Sequence, residues 1–238
     1  MIPKIIHYCW FGKNPKAKLI EKCIDSWKRY CPDWQIIEWN EDNYDVYCNP
    51  FCRQAYENKK WAFVSDYVRF DVLNRFGGVY LDTDVEILKP LDCFLDHQLF
   101  AGHETDTWVA PGLILGSEPG HPVLKIVLEK YAGASFIDSD GREVHTTVGE
   151  YFTKSLQMCG IILNGKTQLQ NGIAIYAKDY FCPMNDATGE ITKTANTYTI
   201  HWYLKSWINS GIRLRTRVTR IFHRIFGTDC FRWIKRGR

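Results

Sequence analysis

The chain has 238 residues, of which 45% are hydrophobic and 24% are charged, and its formal net charge is +3. This composition is typical of a soluble globular protein and argues against a disordered or collagen-like chain. The small excess of positive charge gives no reason to expect nucleic acid as a partner. We also expect no membrane span, which needs about 18 uncharged apolar residues, and no secretory signal, because the first residues lack a small-residue cleavage site.

Two further features of the composition are informative. Residues 211–238 contain nine Lys or Arg and a single Asp, so the rest of the chain is mildly acidic. The nine cysteines are scattered without a CxxC motif, which favours free thiols in a cytoplasmic protein over a disulfide framework.

Strand-like and helix-like patterns alternate along the chain. The first part is predicted to contain a strand at 2–9, a helix opened by Pro15 and stopped by Pro32, a strand at 34–39, a helix at 61–76, a strand at 79–81 and an extended stretch at 85–88. Later strands are predicted at 98–102, 113–115, 172–176 and 197–202, with helices at 121–131 and 149–158. This order predicts an α/β fold with a mostly parallel central sheet flanked by helices.

The basic C-terminal end is predicted to form an amphipathic helix over 212–234. Its apolar stripe contains Leu214, Val218, Ile221, Phe222 and Ile225, while most of its arginines lie off that stripe. We therefore divide the chain into one domain over 1–210 and a helix over 211–238. Such a helix suits peripheral contact with an anionic membrane surface. The alternatives are a helix that packs on the body of the protein and a helix that binds a partner.

Two carboxylates, Asp82 and Asp84, directly follow the strand at 79–81. Ligands of open α/β sheets bind outside the carboxyl ends of strands, and residues i and i+2 of extended backbone point the same way. Convergent carboxylates suit a divalent cation, which can stabilise a diphosphate leaving group. For an isolated D-x-D pair, a solvated turn is the simpler explanation. A phosphatase of the haloacid dehalogenase type is disfavoured because Glu86 stands where such motifs carry Thr or Val.

Three blocks of the sequence together resemble a known family. Residues 2–12 read IPKIIHYCWFG. Residues 65–84 contain the pattern SD-x-x-R followed by GG-x-Y-x-D-x-D. Near the end of the chain, His201-Trp202 is followed by Ser206-Trp207. In this order the blocks are similar to the DXD-motif glycosyltransferases related to the yeast initiating α-1,6-mannosyltransferase and to bacterial capsular polysaccharide synthesis proteins. The large clostridial glucosylating toxins share the same sugar-binding region. Between residues of about 100 and 195, we find no individual motif of this family.

The resemblance implies a GT-A type fold and a metal-dependent, retaining transfer of a hexose from a nucleotide sugar. The metal, Mn²⁺ or Mg²⁺, would be held by Asp82, Asp84 and His201. The catalytic residues that it implies are Asp66, Arg69, Asp82 and Asp84. The implied nucleotide-sugar-binding residues are Trp10, Ser65, Asp66, Arg69, Asp82, Ser206 and Trp207.

The residues themselves leave simpler roles open. Asp66 and Arg69 share a helix face, so an ion pair can be their whole role. Trp10 suits base stacking or the core, and His201 suits a ligand or a structural residue. Residues 110–113 and 146–149 are candidates for the acceptor side. Val148-Gly149-Glu150, however, replaces the Thr-Gly-Pro-like block that family members often carry.

We therefore predict a hexosyltransferase that uses UDP-galactose or UDP-glucose. Its acceptor would be a cell-surface or capsular polysaccharide or a lipid-linked oligosaccharide. We expect it in the cytoplasm, with peripheral contact with the cytoplasmic face of the membrane through residues 211–238. The alternatives are a GDP-mannose-dependent mannosyltransferase and a catalytically silent protein that binds a nucleotide or a glycan.

Overall fold

The computed structural model of the protein describes residues 1–144, 148–205 and 210–228, with the backbone alone for 210–217. Its strands are β1 (Ile5–Cys9), β2 (Gln35–Trp39), β3 (Gly78–Tyr80), β4 (Val85–Ile87), β5 (Leu99–Thr105), β6 (Trp108–Val109), β7 (Leu115–Ser117), β8 (Gln168–Gln170), β9 (Ile173–Tyr176) and β10 (Thr199–His201). Its helices are α1 (Lys18–Tyr30), α2 (Pro50–Glu57), α3 (Trp61–Phe76), α4 (Pro122–Ala132), α5 (Val148–Met158), α6 (Lys178–Phe181) and α7 (Ser210–Phe226).

The central sheet has the order β2-β1-β3-β7-β5-β9-β8, with β6 paired to β5. Strand β1 is parallel to β2 and β3, and β5 is parallel to β9. Strand β7 is antiparallel to both of its neighbours, and β8 is antiparallel to β9. All strands on this path except β7 and β8 therefore point the same way. The predicted α/β class, with a mostly parallel sheet flanked by helices, is confirmed.

This strand order determines where a site can lie. Because β1, β3 and β5 point the same way, their carboxyl ends meet at one edge of the sheet. Helices α2, α3, α4 and α5 cover one face with a continuous apolar cluster. Helix α1, helix α6 and a separate two-stranded sheet of β4 and β10 cover the other face.

Helix α3 carries residues to that edge and ends sharply before β3. It buries Val64, Val68 and Val72 on the face that packs on the sheet. Gly77 and Gly78 have φ values of +65° and +101°, a region that glycine adopts without steric cost. A Cβ at Gly78 would lie 2.7 Å from the carbonyl oxygen of Ile5. Glycine at this position therefore lets β3 pair closely with β1.

The structure adds helices α2 and α6 and strands β6 and β8 to the predicted elements, and it shifts one predicted strand. Helix α2 was not predicted, although Asn49 accepts from the backbone N–H groups of Phe51 and Cys52, and Pro50 opens the helix. An Asn-Pro pair at a helix start is a recognised local signal. The strand predicted at 113–115 lies two residues further on, at 115–117, because Leu113 belongs to the turn that follows β6.

The C-terminal helix is present as α7, and residues 229–238, including Cys230, lie outside the described part of the chain. The eight cysteines within the described ranges carry free thiols. Among the helices that the structure describes, none combines the length and the apolar character needed to cross a membrane.

Candidate active site

The two carboxylates of the DXD motif lie in a tight turn after β3. The backbone N–H of Val85 donates to the carbonyl oxygen of Asp82 at 3.0 Å, which closes the turn. The extended backbone expected here is therefore wrong, because the chain must turn to enter β4 and pair with β10. As a result, the two carboxylates pair with different cationic side chains: Asp82 with Arg69, and Asp84 with His201.

Arg69 forms the centre of the first half of the site. Its Nη2 lies 2.8 Å from the Asp66 carboxylate and 3.3 Å from the Asp82 carboxylate. Its Nε donates to the backbone carbonyl of Ser65 at 3.2 Å, and the guanidinium lies 4.7 Å from the centroid of the Tyr80 ring. The Arg69 side chain is only 5% exposed. A buried guanidinium is stable here because two carboxylates and a carbonyl satisfy it.

The two carboxylates around Arg69 differ in their access to solvent. The Asp66 side chain is 14% exposed and the Asp82 side chain is 31% exposed. Burial raises the pKa of Asp66 to about 7, although the Arg69 charge opposes that shift. Asp82 is therefore the group of this cluster that an incoming ligand meets first, with the Asp66–Arg69 pair beneath it.

Asp84 and His201 form the second half. The His201 Nε2 lies 3.1 Å from one carboxylate oxygen of Asp84, and the backbone N–H of Leu204 donates to the other at 2.6 Å. Burial favours the neutral acid, but the His201 charge and the Leu204 N–H hold the pKa of Asp84 below its usual value. Burial likewise disfavours the charged imidazole, but Asp84, Asp82 and Glu104 raise the pKa of His201.

Two residues that the sequence analysis missed complete this second half. Glu104 lies near the carboxyl end of β5, and its carboxylate accepts from the Tyr203 hydroxyl at 2.9 Å. The Tyr203 ring lies against the His201 ring, with centroids 4.2 Å apart. No local motif marks either residue, because Glu104 and Tyr203 meet only when β5 and the segment after β10 come together.

The side chains fit a divalent cation in type but not in their present arrangement. The His201 Nδ1 is buried and has no hydrogen-bond partner, and the other ring nitrogen, Nε2, lies 3.1 Å from the Asp84 carboxylate. Imidazole nitrogens and carboxylate oxygens form the mixed N and O donor set that such ions accept. Both oxygens of Asp84, however, already hold hydrogen bonds. Within the described ranges, no group of three or more His, Cys, Asp or Glu side chains is arranged to hold a metal ion.

The loop before β7 reaches the site through Gly112. The carbonyl oxygen of Gly112 accepts from the backbone N–H of Asp82 at 3.0 Å. A Cβ at Gly112 would collide with the Asp82 carboxylate and lie 3.1 Å from Arg69 Nη1. Gly149, by contrast, packs on the Trp108 indole. Of the candidate acceptor-side residues, Gly112 therefore lies in the site, while Thr146 and Thr147 fall outside the described residues.

Trp10 follows β1 and is partly exposed at the same edge of the sheet. Its indole N–H donates to the Asn14 carbonyl at 2.7 Å, and the Lys16 ammonium lies 5.4 Å from its ring centroid. The ring borders a cleft of about 450 Å³, which is lined by Trp10, Lys13, Asn14, Pro15, Lys16, Glu21, Glu38, Asn40, Glu41 and Asp42. This placement leaves the ring accessible from the cleft.

The structure thus brings most of the predicted site residues together. Asp66, Arg69, Asp82, Asp84 and His201 form the two adjoining ion-paired groups just described. Ser65 lies beside them, with its hydroxyl donating to the Trp61 carbonyl at 3.0 Å. Ser206 and Trp207 lie outside the described residues.

A match to a known protein family covers the region that contains the DXD motif. Residues 17–101 match the family described as "Glycosyltransferase sugar-binding region containing DXD motif". The resemblance to the DXD-motif glycosyltransferases is confirmed. The matched DXD region contains Asp66, Arg69, Asp82 and Asp84, whereas His201 lies beyond it. The α/β architecture agrees with the GT-A type fold that the resemblance implied.

Curated relatives match about half of the chain. Inositol phosphoceramide mannosyltransferase 1 of Schizosaccharomyces pombe is 28% identical over 134 residues, which are 52% of this chain and 40% of that protein. Mannosyl phosphorylinositol ceramide synthase CSH1 of Saccharomyces cerevisiae is 27% identical, over 53% of this chain and 35% of that protein. The match therefore spans less than half of the length of these relatives. Among solved structures, PaToxG glycosyltransferase is 19% identical, with a TM-score of 0.49, over 66% of this chain and 68% of that one.

Proposed function

We propose that this protein is a metal-dependent, retaining glycosyltransferase that moves a hexose from a nucleotide sugar to a glycan or lipid-linked acceptor. One observation carries the proposal. The buried Arg69 bridges Asp66 and the first carboxylate of the DXD motif, at the sheet edge where the second carboxylate meets His201. A solvated turn, the simplest alternative for Asp82 and Asp84, does not account for a buried guanidinium and imidazole around them.

These residues share three tasks. Arg69 supplies fixed positive charge, which is strengthened by burial, toward the diphosphate that leaves the sugar. Asp66 and Asp82 orient sugar hydroxyls, which requires the ordered positions that Arg69 gives them. A bound Mn²⁺ or Mg²⁺, held by Asp82, Asp84 and His201, would neutralise charge that develops on the diphosphate.

The nucleoside would occupy the cleft beside Trp10. An accessible indole at the end of β1 suits stacking on a base, and the neighbouring carboxylates and amides suit hydrogen bonds to base edges and ribose. Ser65, Ser206 and Trp207 remain proposed contacts of the donor.

The sugar and the acceptor are the open part of the proposal. The sequence favours UDP-galactose or UDP-glucose as the donor, whereas the names of the two yeast relatives favour mannose, and hence GDP-mannose. Those relatives also name a phosphoinositol-containing ceramide lipid, which supports an acceptor that is presented at a membrane.

A membrane-presented acceptor agrees with the geometry of α7. Its exposed aliphatic side chains include Val218, Ile221 and Ile225, which are 46%, 58% and 66% exposed. We propose that the chain consists of a domain over 1–210 and a helical segment over 211–238, and that this segment contacts the cytoplasmic membrane face through this apolar side. Deleting 211–238 should abolish co-sedimentation with vesicles that contain phosphatidylserine, and retained co-sedimentation contradicts this role.

The donor proposal is tested by thermal stability with UDP-galactose, UDP-glucose and GDP-mannose, each with and without Mn²⁺. A donor at 100 times its Kd should stabilise the protein by about 2.7 kcal/mol. We expect this for one nucleotide class, in a Mn²⁺-dependent way, and not in Asp84→Asn. Asp25→Asn is the matched control, since Asp25 is an exposed carboxylate that pairs with Lys28 on α1.

The same panel separates the catalytic from the silent alternative. An active enzyme should release the nucleoside diphosphate slowly from its donor in the presence of Mn²⁺, even without an acceptor. Binding without any release indicates a nucleotide-binding protein. The absence of stabilisation by every donor overturns the transferase proposal.

A further inference from the structure

Cationic side chains of helix α7 dock it on the body of the protein. Arg220 Nη2 lies 2.8 Å from the Asp186 carboxylate, and Arg220 Nε donates to the backbone carbonyl of Asp186 at 2.9 Å. Arg224 donates to the carbonyl oxygens of Thr188 and Gly189 at 2.6 and 2.8 Å. The turn at 185–189 is therefore the receiving surface for α7.

The Asp186 carboxylate has a second partner. Its other oxygen, Oδ2, lies 2.7 Å from the Lys205 ammonium. One side chain thus joins α7, through Arg220, to the strap, which we define as residues 201–205. The Arg220 and Lys205 charges hold the pKa of Asp186 below its usual value, although partial burial works in the opposite direction.

The strap in turn holds the second carboxylate of the DXD motif. The backbone N–H of Trp202 donates to the Asp84 backbone carbonyl at 3.0 Å, and the backbone N–H of Leu204 donates to the Asp84 carboxylate at 2.6 Å. Tyr203 and Lys205 each have a φ of +50°. Non-glycine residues adopt this left-handed region only when their surroundings compensate for its energetic cost. Contacts outside the strap must therefore keep it in this conformation.

We propose that Asp186 is a positioning residue that couples the docking of α7 to the geometry of Asp84. By holding Lys205, it keeps the strap in the conformation in which the Leu204 N–H reaches the Asp84 carboxylate. Arg220 holds Asp186 in place from the other side. The effect on donor binding rests on the proposed function, whereas the coupling itself is a property of the fold.

Hydrogen–deuterium exchange of the full chain tests the coupling without any donor or metal. We expect the amides of 202–205 to exchange at least about tenfold faster in Asp186→Asn and in Lys205→Gln. Arg220→Gln should give a smaller increase in the same segment. Asp186→Glu should restore most of the protection, because it keeps the charge. Asp179→Asn is the control, because the Asp179 carboxylate accepts from Thr194 and Asn196 and not from the strap. It should leave the exchange rates of the strap unchanged.

Exchange in β1 reports on global stability, and it should be the same in wild type and in these variants. The proposal is overturned if exchange at 202–205 is unchanged in both Asp186→Asn and Lys205→Gln. It is also overturned if exchange increases equally in β1 and in the strap in both variants. A second readout concerns function. If a donor stabilises the wild type, Asp186→Asn should weaken its binding. If no donor binds the wild type, the exchange result still decides the coupling.

Discussion

The two carboxylates of the DXD motif are two residues apart, yet they depend on different parts of the molecule. Asp82 is held by Arg69 and Gly112, within the helix, strand and loop on the α3 side. Asp84 is held by His201, 117 residues further along the chain, and by Leu204 of the strap. The first half of the site therefore forms from a nearly local unit, whereas the second half forms only when the C-terminal third of the chain returns to β4.

The largest expected effect concerns the first half. Arg69→Met leaves Asp66 and Asp82 without their buried cation, so we expect a loss of about 3–5 kcal/mol of unfolding free energy. Arg75→Met is the matched control, because Arg75 is 52% exposed and pairs with Asp71 on the same helix; its effect should stay within about 0.5 kcal/mol. Urea unfolding measures both. Equal effects would mean that Arg69 is not the centre of this half.

The next effect concerns pH and the anchor of α3. His7 is fully buried, accepting from the Trp39 indole and bonding the Gly77 carbonyl at the end of α3. Burial lowers the pKa of His7 to about 4, so the unfolded chain takes up the proton first as pH falls below about 6.5. Stability should therefore fall between pH 6.5 and 4, by roughly 3 kcal/mol in total from this group.

His7→Gln should remove that part of the pH dependence, while the other histidines keep theirs. Urea midpoints at several pH values between 4 and 7 measure the difference. Parallel pH profiles for the variant and the wild type contradict a buried, neutral His7.

Gly112→Ala should cost about 1–3 kcal/mol, because its Cβ would meet the Asp82 carboxylate and Arg69. Gly133→Ala is the control, since a Cβ there meets no atom within 4 Å. If a nucleotide sugar binds the wild type, Gly112→Ala should also lower the affinity for it, because the Asp82 carboxylate must move. An effect equal to that of Gly133→Ala would show that the first half tolerates a displaced Asp82.

The smallest effect is expected in the second half and has the opposite pH dependence. The carboxylates raise the pKa of His201, so its stabilising contribution is present below its ordinary value of about 6.5 and is lost as pH rises through the raised value. Without metal, the stability difference between wild type and His201→Gln should therefore shrink toward alkaline pH. A difference that grows with pH contradicts the Asp84–His201 ion pair.

Local patterns predicted much of the fold and the first half of the site. The apolar spacing of α3, its glycine end and the strand before Asp82 can each be read from neighbouring residues. Asp66 and Arg69 share a helix face, so their ion pair was foreseeable from spacing alone. The α/β order of elements followed from the same periodicities.

The rest depended on contacts between distant residues. The turn that closes at Val85 arises because β4 pairs with β10, and no local signal at 82–84 shows that pairing. Glu104, Tyr203 and Asp186 carry no motif, and their partners are far apart in sequence.

All described helices except α2 and α6, most strands and the DXD region could be predicted from the sequence alone, because periodicity, glycines and close spacing are local properties. Contacts between distant residues give Asp82 and Asp84 separate partners, place Gly112 where a Cβ would meet the Asp82 carboxylate, and join α7 to the body through Arg220. These contacts could not be predicted, because hydrogen bonds and ion pairs depend on distances of about 3 Å that are set only when the chain folds.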